Sequence, residues 1–112
     1  MKPPEALCVI MSTAGSQEEA ERLADVLIKG KLAACVQLLD ITSQYFWEGK
    51  VCREPEVLLL IKTAASLYNA VEKAILSHHS YDVPEIIQIP VERGFDRYLG
   101  WVRENTQPVQ ER

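Results

Sequence analysis

The stretch from Leu32 to Thr63, LAACVQLLDITSQYFWEGKVCREPEVLLLIKT, decides the fold of this chain of 112 residues. Both of its halves are rich in aliphatic, aromatic and β-branched residues, which favour strands, with an interruption only around Asp40. The segment EGK, residues 48–50, contains the glycine that a tight turn needs. We therefore predict one long β-hairpin. Pro55 has no N–H to donate to a ladder, so we expect it at an edge or a bulge of the returning strand.

The predicted hairpin is too long for a domain of this size. Residues 32–47, fully extended, would run roughly 50 Å, whereas a compact chain of this length is about 35 Å across. Tyr45, Phe46 and Trp47 follow one another near the tip, and exposed aromatic surface is typical of an interface. We expect the arm to overhang and to pair with another copy in a closed ring. A kink near Asp40 that folds the arm back onto its own domain is the alternative.

Two amphipathic helices flank the hairpin. In GSQEEAERLADVLIKGK, residues 15–31, Ser16 and Glu19 form a capping box, and Gly30 is expected to end the helix in a left-handed conformation. In SLYNAVEKAILSHH, residues 66–79, Ser66 is the predicted cap. Apolar residues recur at i, i+3, i+4, i+7 and i+8 in both helices. The stripes are Ala20, Leu23, Ala24, Leu27 and Ile28 in the first helix, and Leu67, Ala70, Val71, Ala74 and Ile75 in the second.

The remaining segments complete the order β-α-β-β-α-β with an added C-terminal helix. EALCVIMST and PEIIQIPV have the composition of short buried strands, and FDRYLGWVREN predicts a final helix capped by Asp96. Two β-α-β units in tandem predict an α+β, ferredoxin-like split βαβ sheet with both helices on one face. We expect a flexible N-terminus over residues 1–5, one domain over 6–105 and a frayed tail over 106–112.

The composition excludes several classes of function. Hydrophobic residues make up 47% of the chain and the net charge is −4, without a Lys/Arg cluster for nucleic acid. The apolar runs are too short to cross a membrane or to act as a signal peptide, so we expect no membrane partner and a cytoplasmic location. Cys8, Cys35 and Cys52 are odd in number and lack C-x-x-C spacing. This pattern argues against disulfides and a structural zinc site, and Cys8 and Cys35 are interpreted as buried strand residues.

The chain resembles the CutA family of divalent-cation tolerance proteins over residues 6–102. The resemblance is carried by KLAACV, YFWEGKV, EVLLLIKT, HHSYDVPEIIQIPV and YLGWV, which are specific in this order and spacing. It implies a ferredoxin-like protomer and a tight homotrimer built through the long hairpin strands. The architecture is also similar to that of the PII signalling proteins, trimers that bind small effectors between subunits.

The resemblance implies binding or tolerance of divalent cations, copper most often. The family's proposed copper site uses adjacent histidines that match His78 and His79, completed in some members by a cysteine of the first strand. Here Ser12 stands at that position, and a hydroxyl is a poor ligand for a soft metal. Ser80 and Asp82 also depart from the family's usual proline and glutamate, and the bend QLLDITS is one residue shorter.

The histidine pair has two interpretations. Neighbouring helical residues point about 100° apart, so His78 and His79 chelate one ion only from a loosened turn or with ligands from another chain. Glu85 is a candidate third ligand. The plain interpretation is that both rings cap terminal helix carbonyls or join an interfacial hydrogen-bond network.

A second polar set is expected to converge at a cleft between subunits. Tyr45, Trp47, Lys62, Tyr81 and Glu85 would suit a small anionic molecule as well as a cation. The plain alternative is that Lys62 solvates the end of its strand and pairs with Glu85, while Trp101 is interpreted as packing. No nucleophile stands beside a base, so we do not expect an enzyme. The functional hypotheses are therefore a copper-binding trimer, a PII-like effector-binding trimer and a scaffold without a ligand.

Overall fold

The computed structural model describes residues 4–107 and shows an α+β fold, as predicted. Four strands form one antiparallel sheet in the order β2-β3-β1-β4. The elements are β1 Leu7–Ala14, α1 Gln17–Lys29, β2 Cys35–Trp47, β3 Lys50–Ala64, α2 Tyr68–His78, β4 Ile86–Pro90 and α3 Asp96–Glu104, with a 3-10 turn, Ala65–Leu67, before α2. Within the described residues, no helix is long and apolar enough to cross a membrane.

Each β-α-β unit is divided by a strand of the other unit. β1 and β2 both run antiparallel to β3, which lies between them, so β1 and β2 are parallel to each other. In the same way, β1 lies between β3 and β4. α1 and α2 contact each other, and α1 also contacts β1, β2 and β3. The two connecting helices therefore close one core.

β2 and β3 form the predicted long hairpin. Their pairing runs without interruption from Cys35–Lys62 to Trp47–Lys50. Glu48 and Gly49 make the turn with φ values of 50° and 79°, the left-handed pair that matches the twist of a two-residue hairpin. Because β1 ends opposite Val57, residues 41–56, called the arm below, extend beyond the rest of the sheet. The protein is 53 Å long and 23 Å across its shortest axis.

The arm overhangs the domain, and the alternative of a kink at Asp40 is not observed. Asp40 pairs with Val57 inside the continuous ladder. Pro55 lies in the arm opposite Thr42, past the end of β1, where β3 keeps only its β2 neighbour. The predicted edge position of Pro55 therefore matches the structure, since the missing N–H faces the side that β1 does not reach.

The core lies on the face of the sheet that α1 and α2 cover. Its inward side chains from the central strands are Cys8, Ile10, Ser12 and Ala14 of β1, and Val57, Leu59, Ile61 and Thr63 of β3. The helical stripes contribute Leu23, Leu27, Val71 and Ile75. Ile28, in the last turn of α1, remains 40% exposed. Cys8 is buried as predicted, Cys35 and Cys52 are half-buried, and all three thiols are free.

The opposite face of the sheet, called the outer face below, is also apolar. It consists of Val9, Met11, Leu39, Leu58, Leu60, Ile87 and Ile89, which alternate with the core residues along their strands. Leu39, Ile87 and Ile89 are 47%, 48% and 44% exposed. A sheet face left to water is normally polar, so an aliphatic face of this extent is typical of a contact surface.

α1 ends at Gly30 as predicted, but Gly30 does not take the predicted left-handed conformation. Gly30 has a φ of −83°, and the left-handed residue is Lys31, with a φ of 61°. The N–H of Lys31 donates to Ile28 O at 3.1 Å and that of Leu32 to Leu27 O at 2.9 Å. These two bonds form a Schellman motif, in which the residue after the cap takes the left-handed conformation. The predicted left-handed conformation of Gly30 was therefore wrong, because the motif uses Gly30 as the C-cap and gives that conformation to Lys31.

The predicted caps of the other two helices were also wrong. Ser66 lies inside the 3-10 turn that precedes α2, and its N–H donates to Glu5 Oε1 at 3.3 Å. Asp96 is the first residue of α3 and Phe95 precedes it as the N-cap, without a side-chain cap bond at this helix start. The carboxylate of Asp96 still lies at the end of the helix where the dipole favours negative charge.

The predicted terminal segments fall partly outside the described residues, which leave out 1–3 and 108–112. The described part of each segment is attached to the domain. Glu5 O accepts a hydrogen bond from Arg103 Nε at 2.9 Å. Thr106 is buried, and Gln107 N–H donates to Lys31 O at 2.8 Å. The packed domain therefore continues two residues beyond the predicted boundary at 105.

Candidate functional site

His79 follows α2 directly, and its side chain is completely buried. Its Nε2 lies 2.7 Å from the carbonyl oxygen of Thr13, and the N–H of Tyr81 donates to its Nδ1 at 3.0 Å. A carbonyl oxygen only accepts and a backbone N–H only donates, so the ring is neutral with its proton on Nε2. Both nitrogens of His79 therefore have partners within the chain.

His78 is exposed and points elsewhere. Its Nδ1 lies 2.9 Å from the carbonyl oxygen of Ala74 and donates to it, closing the last turn of α2. Its Nε2 remains available to a ligand. In this chain the two rings therefore show the plain arrangement that the sequence allowed, with one capping a helix and one in a hydrogen-bond network. A shared metal at His78 and His79 stays a prediction.

Glu19 connects the start of α1 to the loop after α2. Its carboxylate is buried and accepts bonds from Gly15 N–H at 3.2 Å and from Ser80 N–H at 2.7 Å. Its Oε2 also lies 3.7 Å from His79 Nδ1. Burial raises the pKa of Glu19, but the hydrogen bonds from Ser80 and Gly15 outweigh it and hold that pKa below its ordinary value.

Tyr81 joins the same loop to the arm. Its hydroxyl donates to Glu56 Oε2 at 2.8 Å, and its ring lies 4.8 Å from that of His79. Gly15 provides the space, because a Cβ at Gly15 would lie only 3.1 Å from the Tyr81 oxygen. Burial and then the bond to the Glu56 carboxylate raise the pKa of Tyr81 far above its ordinary value.

An open cleft of about 700 Å³ lies between the arm and this loop, and we call it the acidic cleft. Its lining consists of Thr13, Ser43, Gln44, Tyr45, Trp47, Cys52, Glu54, Glu56, Tyr81, Asp82, Val83 and Glu85. Four of these residues are carboxylates, and no Lys or Arg is among the described lining residues. Desolvation and then the charge of Glu54 raise the pKa of Tyr45. The cleft is thus a region of negative potential, which attracts cations.

The structure brings together four of the five residues predicted to form a ligand pocket. Tyr45, Trp47, Tyr81 and Glu85 line the acidic cleft. Lys62 does not, because it lies nearer the opposite end of β3, where its Nζ is 5.5 Å from the centre of the Tyr98 ring. Within one chain Lys62 therefore neither joins the other four nor pairs with Glu85, and their convergence at a cleft between subunits stays a prediction. The part of the cleft that one chain supplies is lined by carboxylates, which favour a cation over a small anion.

Ser12 lies on the inward face of β1, next to Thr13, which receives the bond from His79. It is completely buried, and its hydroxyl has no hydrogen-bond partner. Among residues 4–107, no three His, Cys, Asp or Glu side chains lie close enough together to hold a metal ion. A metal site with three such ligands would therefore need more than residues 4–107 of one chain bring together.

Several site residues were missed at the sequence level. Cys52, Glu54 and Glu56 occupy every second position of β3, a spacing that places them on one face of the arm. That alternation was a usable signal. The contact of Glu19 with the loop after α2 had no such signal. The capping box already explained the presence of Glu19, and Ser80 lies 61 residues away along the chain.

The family model described as CutA1 divalent ion tolerance protein matches residues 8–105. The chain is 43% identical over 100 residues to the chloroplastic protein CutA 1 of Oryza sativa, covering 88% of this chain but only 56% of that protein. It is 39% identical to the divalent-cation tolerance protein CutA of Thermus thermophilus, covering 88% of this chain and 96% of that protein.

Solved structures agree with these matches. The structure titled as the periplasmic divalent cation tolerance protein CutA from Archaeoglobus fulgidus has a TM-score of 0.88 and 40% identity, covering 90% of this chain and 99% of that one. These proteins are named for tolerance of divalent cations and not for a catalysed reaction, in agreement with the expectation that the chain is not an enzyme. On its sequence and its fold, the chain belongs to the CutA1 divalent ion tolerance family.

Proposed function

We propose that this protein is a homotrimer that binds divalent cations in the acidic cleft. The observation that carries the proposal is the lining of that cleft, with Glu54, Glu56, Asp82 and Glu85 and no described Lys or Arg. Carboxylates are general ligands for divalent cations, and the negative potential concentrates such ions before any one carboxylate binds them. The names of the relatives point to the same class of ligand.

The assembly follows from what a single chain leaves incomplete. The described residues of one chain do not gather three metal ligands, and the cleft opens on the side of the overhanging arm. Its wall carries Trp47, which is 54% exposed. A second copy that covers the arm would bury this aromatic surface and bring its own ligands to the cleft. The count of three subunits comes from the resemblance to the CutA family.

The ferredoxin-like assignment of the fold belongs to the same proposal. It is supported by the element order β-α-β-β-α-β and by the strand order β2-β3-β1-β4, in which each β-α-β unit is split by a strand of the other. This arrangement places the hairpin at one edge of the sheet and β4 at the other, so copies have two edges available for pairing.

Copper at the histidines is a second metal proposal. The exposed Nε2 of His78 supports it, since imidazole is a good copper ligand. His79 would have to release Tyr81 N–H or Thr13 O before binding a metal. We therefore assign His78 alone as an imidazole ligand of copper, and the carboxylates as the principal site. The cellular location stays a prediction of cytoplasm, while relatives are named as chloroplastic in rice and periplasmic in Archaeoglobus.

Titration calorimetry with Mn²⁺ and Cu²⁺, combined with native mass spectrometry, tests the two metal proposals together. A Glu54→Gln/Glu56→Gln variant is expected to weaken the binding of both ions by about tenfold or more. It removes two of the four negative charges in the cleft and keeps the shape of the side chains. His78→Ala is expected to weaken only the binding of Cu²⁺. The mass spectrum reports whether ions are bound by particles of three chains.

The matched control is Glu92→Gln/Glu104→Gln, which removes the same charge from exposed positions outside the cleft lining. If this control weakens the binding of Mn²⁺ as much as the cleft variant does, the net charge of the protein explains the binding and the cleft assignment fails. If only His78→Ala abolishes Cu²⁺ binding while the cleft variant keeps both ions, the histidine is the site. Ions bound by single chains would overturn the trimer.

A further inference from the structure

A second, smaller cavity lies under α3, away from the acidic cleft. It has a volume of about 180 Å³ and is lined by Leu7, Cys8, Val9, Lys62, Val91, Arg93, Gly94, Tyr98, Leu99 and Val102. One water occupies about 30 Å³ of liquid, so the cavity has room for about six waters or one small organic molecule. Its walls are mainly aliphatic, which favours a ligand with an apolar body.

The charges at this cavity are positive. Lys62 and Arg93 line it, and its described lining includes no Asp or Glu. The ion pairs found among residues 4–107 involve neither of these two cations. Lys62 is half-buried on the outer face, and its Nζ lies 5.5 Å from the centre of the Tyr98 ring. A half-buried ammonium group that is in none of the described ion pairs is well placed to receive an anion.

The aromatic side of the cavity is held in place. Tyr98 stacks on Trp101 with ring centres 5.8 Å apart and an interplanar angle of 25°. This contact agrees with the interpretation of Trp101 as packing, although Trp101 itself is 44% exposed. Below Tyr98, Val102 is buried in the core and fixes α3 against the sheet. The cavity therefore lies between secondary-structure elements and does not depend on a flexible loop alone.

We propose that this cavity binds a small organic carboxylate, with the carboxylate at Lys62 and Arg93 and a short branched apolar chain against Val9, Leu99 and Val102. The separation of charge supports this assignment. The acidic cleft gathers carboxylates, whereas the cavity under α3 gathers the cations, so one chain has two sites of opposite preference.

The experiment uses 3-methylbutanoate as the probe and methyl NMR on the assembled protein as the readout. We expect saturable shifts of the Val9, Leu99 and Val102 methyl signals on titration. The uncharged probe 3-methylbutanamide has nearly the same shape, and we expect it to bind at least tenfold more weakly. Acetate has the charge without the branched chain, and we expect it to be weaker as well.

Lys62→Met removes the charge and keeps most of the side-chain length. Arg93→Gln removes the charge of the second, exposed cation. Each variant is expected to weaken the binding of 3-methylbutanoate about tenfold. The matched control, Lys73→Met, removes a lysine from the exposed face of α2 and should leave the affinity unchanged. Equal binding of acid and amide, or unchanged affinity in both cavity variants, would overturn the proposal. Absence of shifts, as when a neighbouring copy fills the cavity, would do so too. None of these outcomes depends on metal binding in the acidic cleft.

Discussion

Two buried hydroxyl groups on the inward face of the sheet differ in whether they are hydrogen-bonded. Thr63 Oγ1 donates to the carbonyl oxygen of Leu32 at 2.6 Å, while Ser12 Oγ has no partner. A buried polar group without a partner loses its hydration and gains nothing, which costs about 1–3 kcal/mol. The same chemical group therefore has opposite effects at two sites of one core.

Ser12→Ala is expected to raise the free energy of unfolding by about 0.5–1 kcal/mol, because it removes an unsatisfied hydroxyl and little volume. Thr63→Val is expected to lower it by about 1–2 kcal/mol, because Leu32 O then loses its donor. Urea unfolding at one fixed protein concentration measures both changes. A Ser12→Ala variant less stable than the wild type would mean that this hydroxyl has a partner after all.

Lys31 is a non-glycine residue in the left-handed conformation. This conformation costs an L-residue roughly 1 kcal/mol, and glycine adopts it freely. We therefore expect Lys31→Gly to be more stable than Lys31→Ala by about 1 kcal/mol in the same unfolding measurement. Both variants remove the charge, so their difference reports the backbone alone. Equal stability of the two would show that the left-handed conformation at residue 31 carries no strain.

The sequence predicted residue types better than exact positions. It indicated a left-handed residue at the end of α1 and caps for α2 and α3, but each lay one or more residues away from the predicted place. Helix ends depend on which carbonyls the following chain can still reach, and that depends on tertiary packing. Lys62 lies apart from the acidic cleft of its own chain for a related reason, since strand register, not composition, determines which end of the sheet a residue occupies.

At the scale of elements, Glu19 fastens the loop after α2 to the start of α1. Its folded-state pKa lies below the ordinary value of 4.5, so its contribution is complete above pH 4.5 and is lost as the pH falls through the folded-state value. Protonation weakens the bonds from Gly15 and Ser80, and the burial of His79 depends on the same loop. The acid side of the stability curve should therefore depend on this carboxylate.

Glu19→Gln is expected to lower the free energy of unfolding at pH 7 by about 2 kcal/mol, because an amide replaces a buried charged acceptor of two N–H groups. The variant should also lose less stability than the wild type as the pH falls below 4.5. Glu18→Gln is the matched control, since Glu18 lies in the same helical turn but is exposed. Urea unfolding from pH 3 to pH 7 measures both effects. If the free energy of unfolding falls equally with pH in the wild type and in Glu19→Gln, the role of Glu19 is contradicted.

The elements themselves followed closely from the sequence. Runs of strand-forming residues, a Gly-containing turn and two matching helical stripes were enough to predict four strands, two connecting helices and the long hairpin. The acidic cleft was predicted only in part. Tyr45, Trp47, Tyr81 and Glu85 were named. The contact of Tyr81 with Glu56 joins residues 25 positions apart, and no local pattern indicates a contact of that kind.

At the scale of the whole molecule, two apolar features lie on one side of the sheet. The outer face exposes Leu39, Ile87 and Ile89, and two of its four strands, β2 and β3, continue into the arm with its aromatic tip. A two-stranded ribbon is marginally stable alone in water, and an aliphatic sheet face exposed to water is unfavourable. Both difficulties are removed together if copies pack outer face to outer face while each arm pairs with a neighbour.

Charge on the outer face should therefore separate the subunits. Ile89→Lys places an ammonium group on that face, where a contact between copies would bury it without a partner, and we expect it to convert the assembly to single chains. Ile28→Lys is the matched control, because Ile28 lies on α1 with 40% exposure compared with 44% for Ile89. Sedimentation velocity at micromolar concentration distinguishes one chain from three. If both variants remain trimeric, the outer face lies outside the contact, and the arm alone must hold the copies together. If the wild type sediments as a single chain, the shared cation site loses its basis, since residues 4–107 of one chain do not gather three ligands.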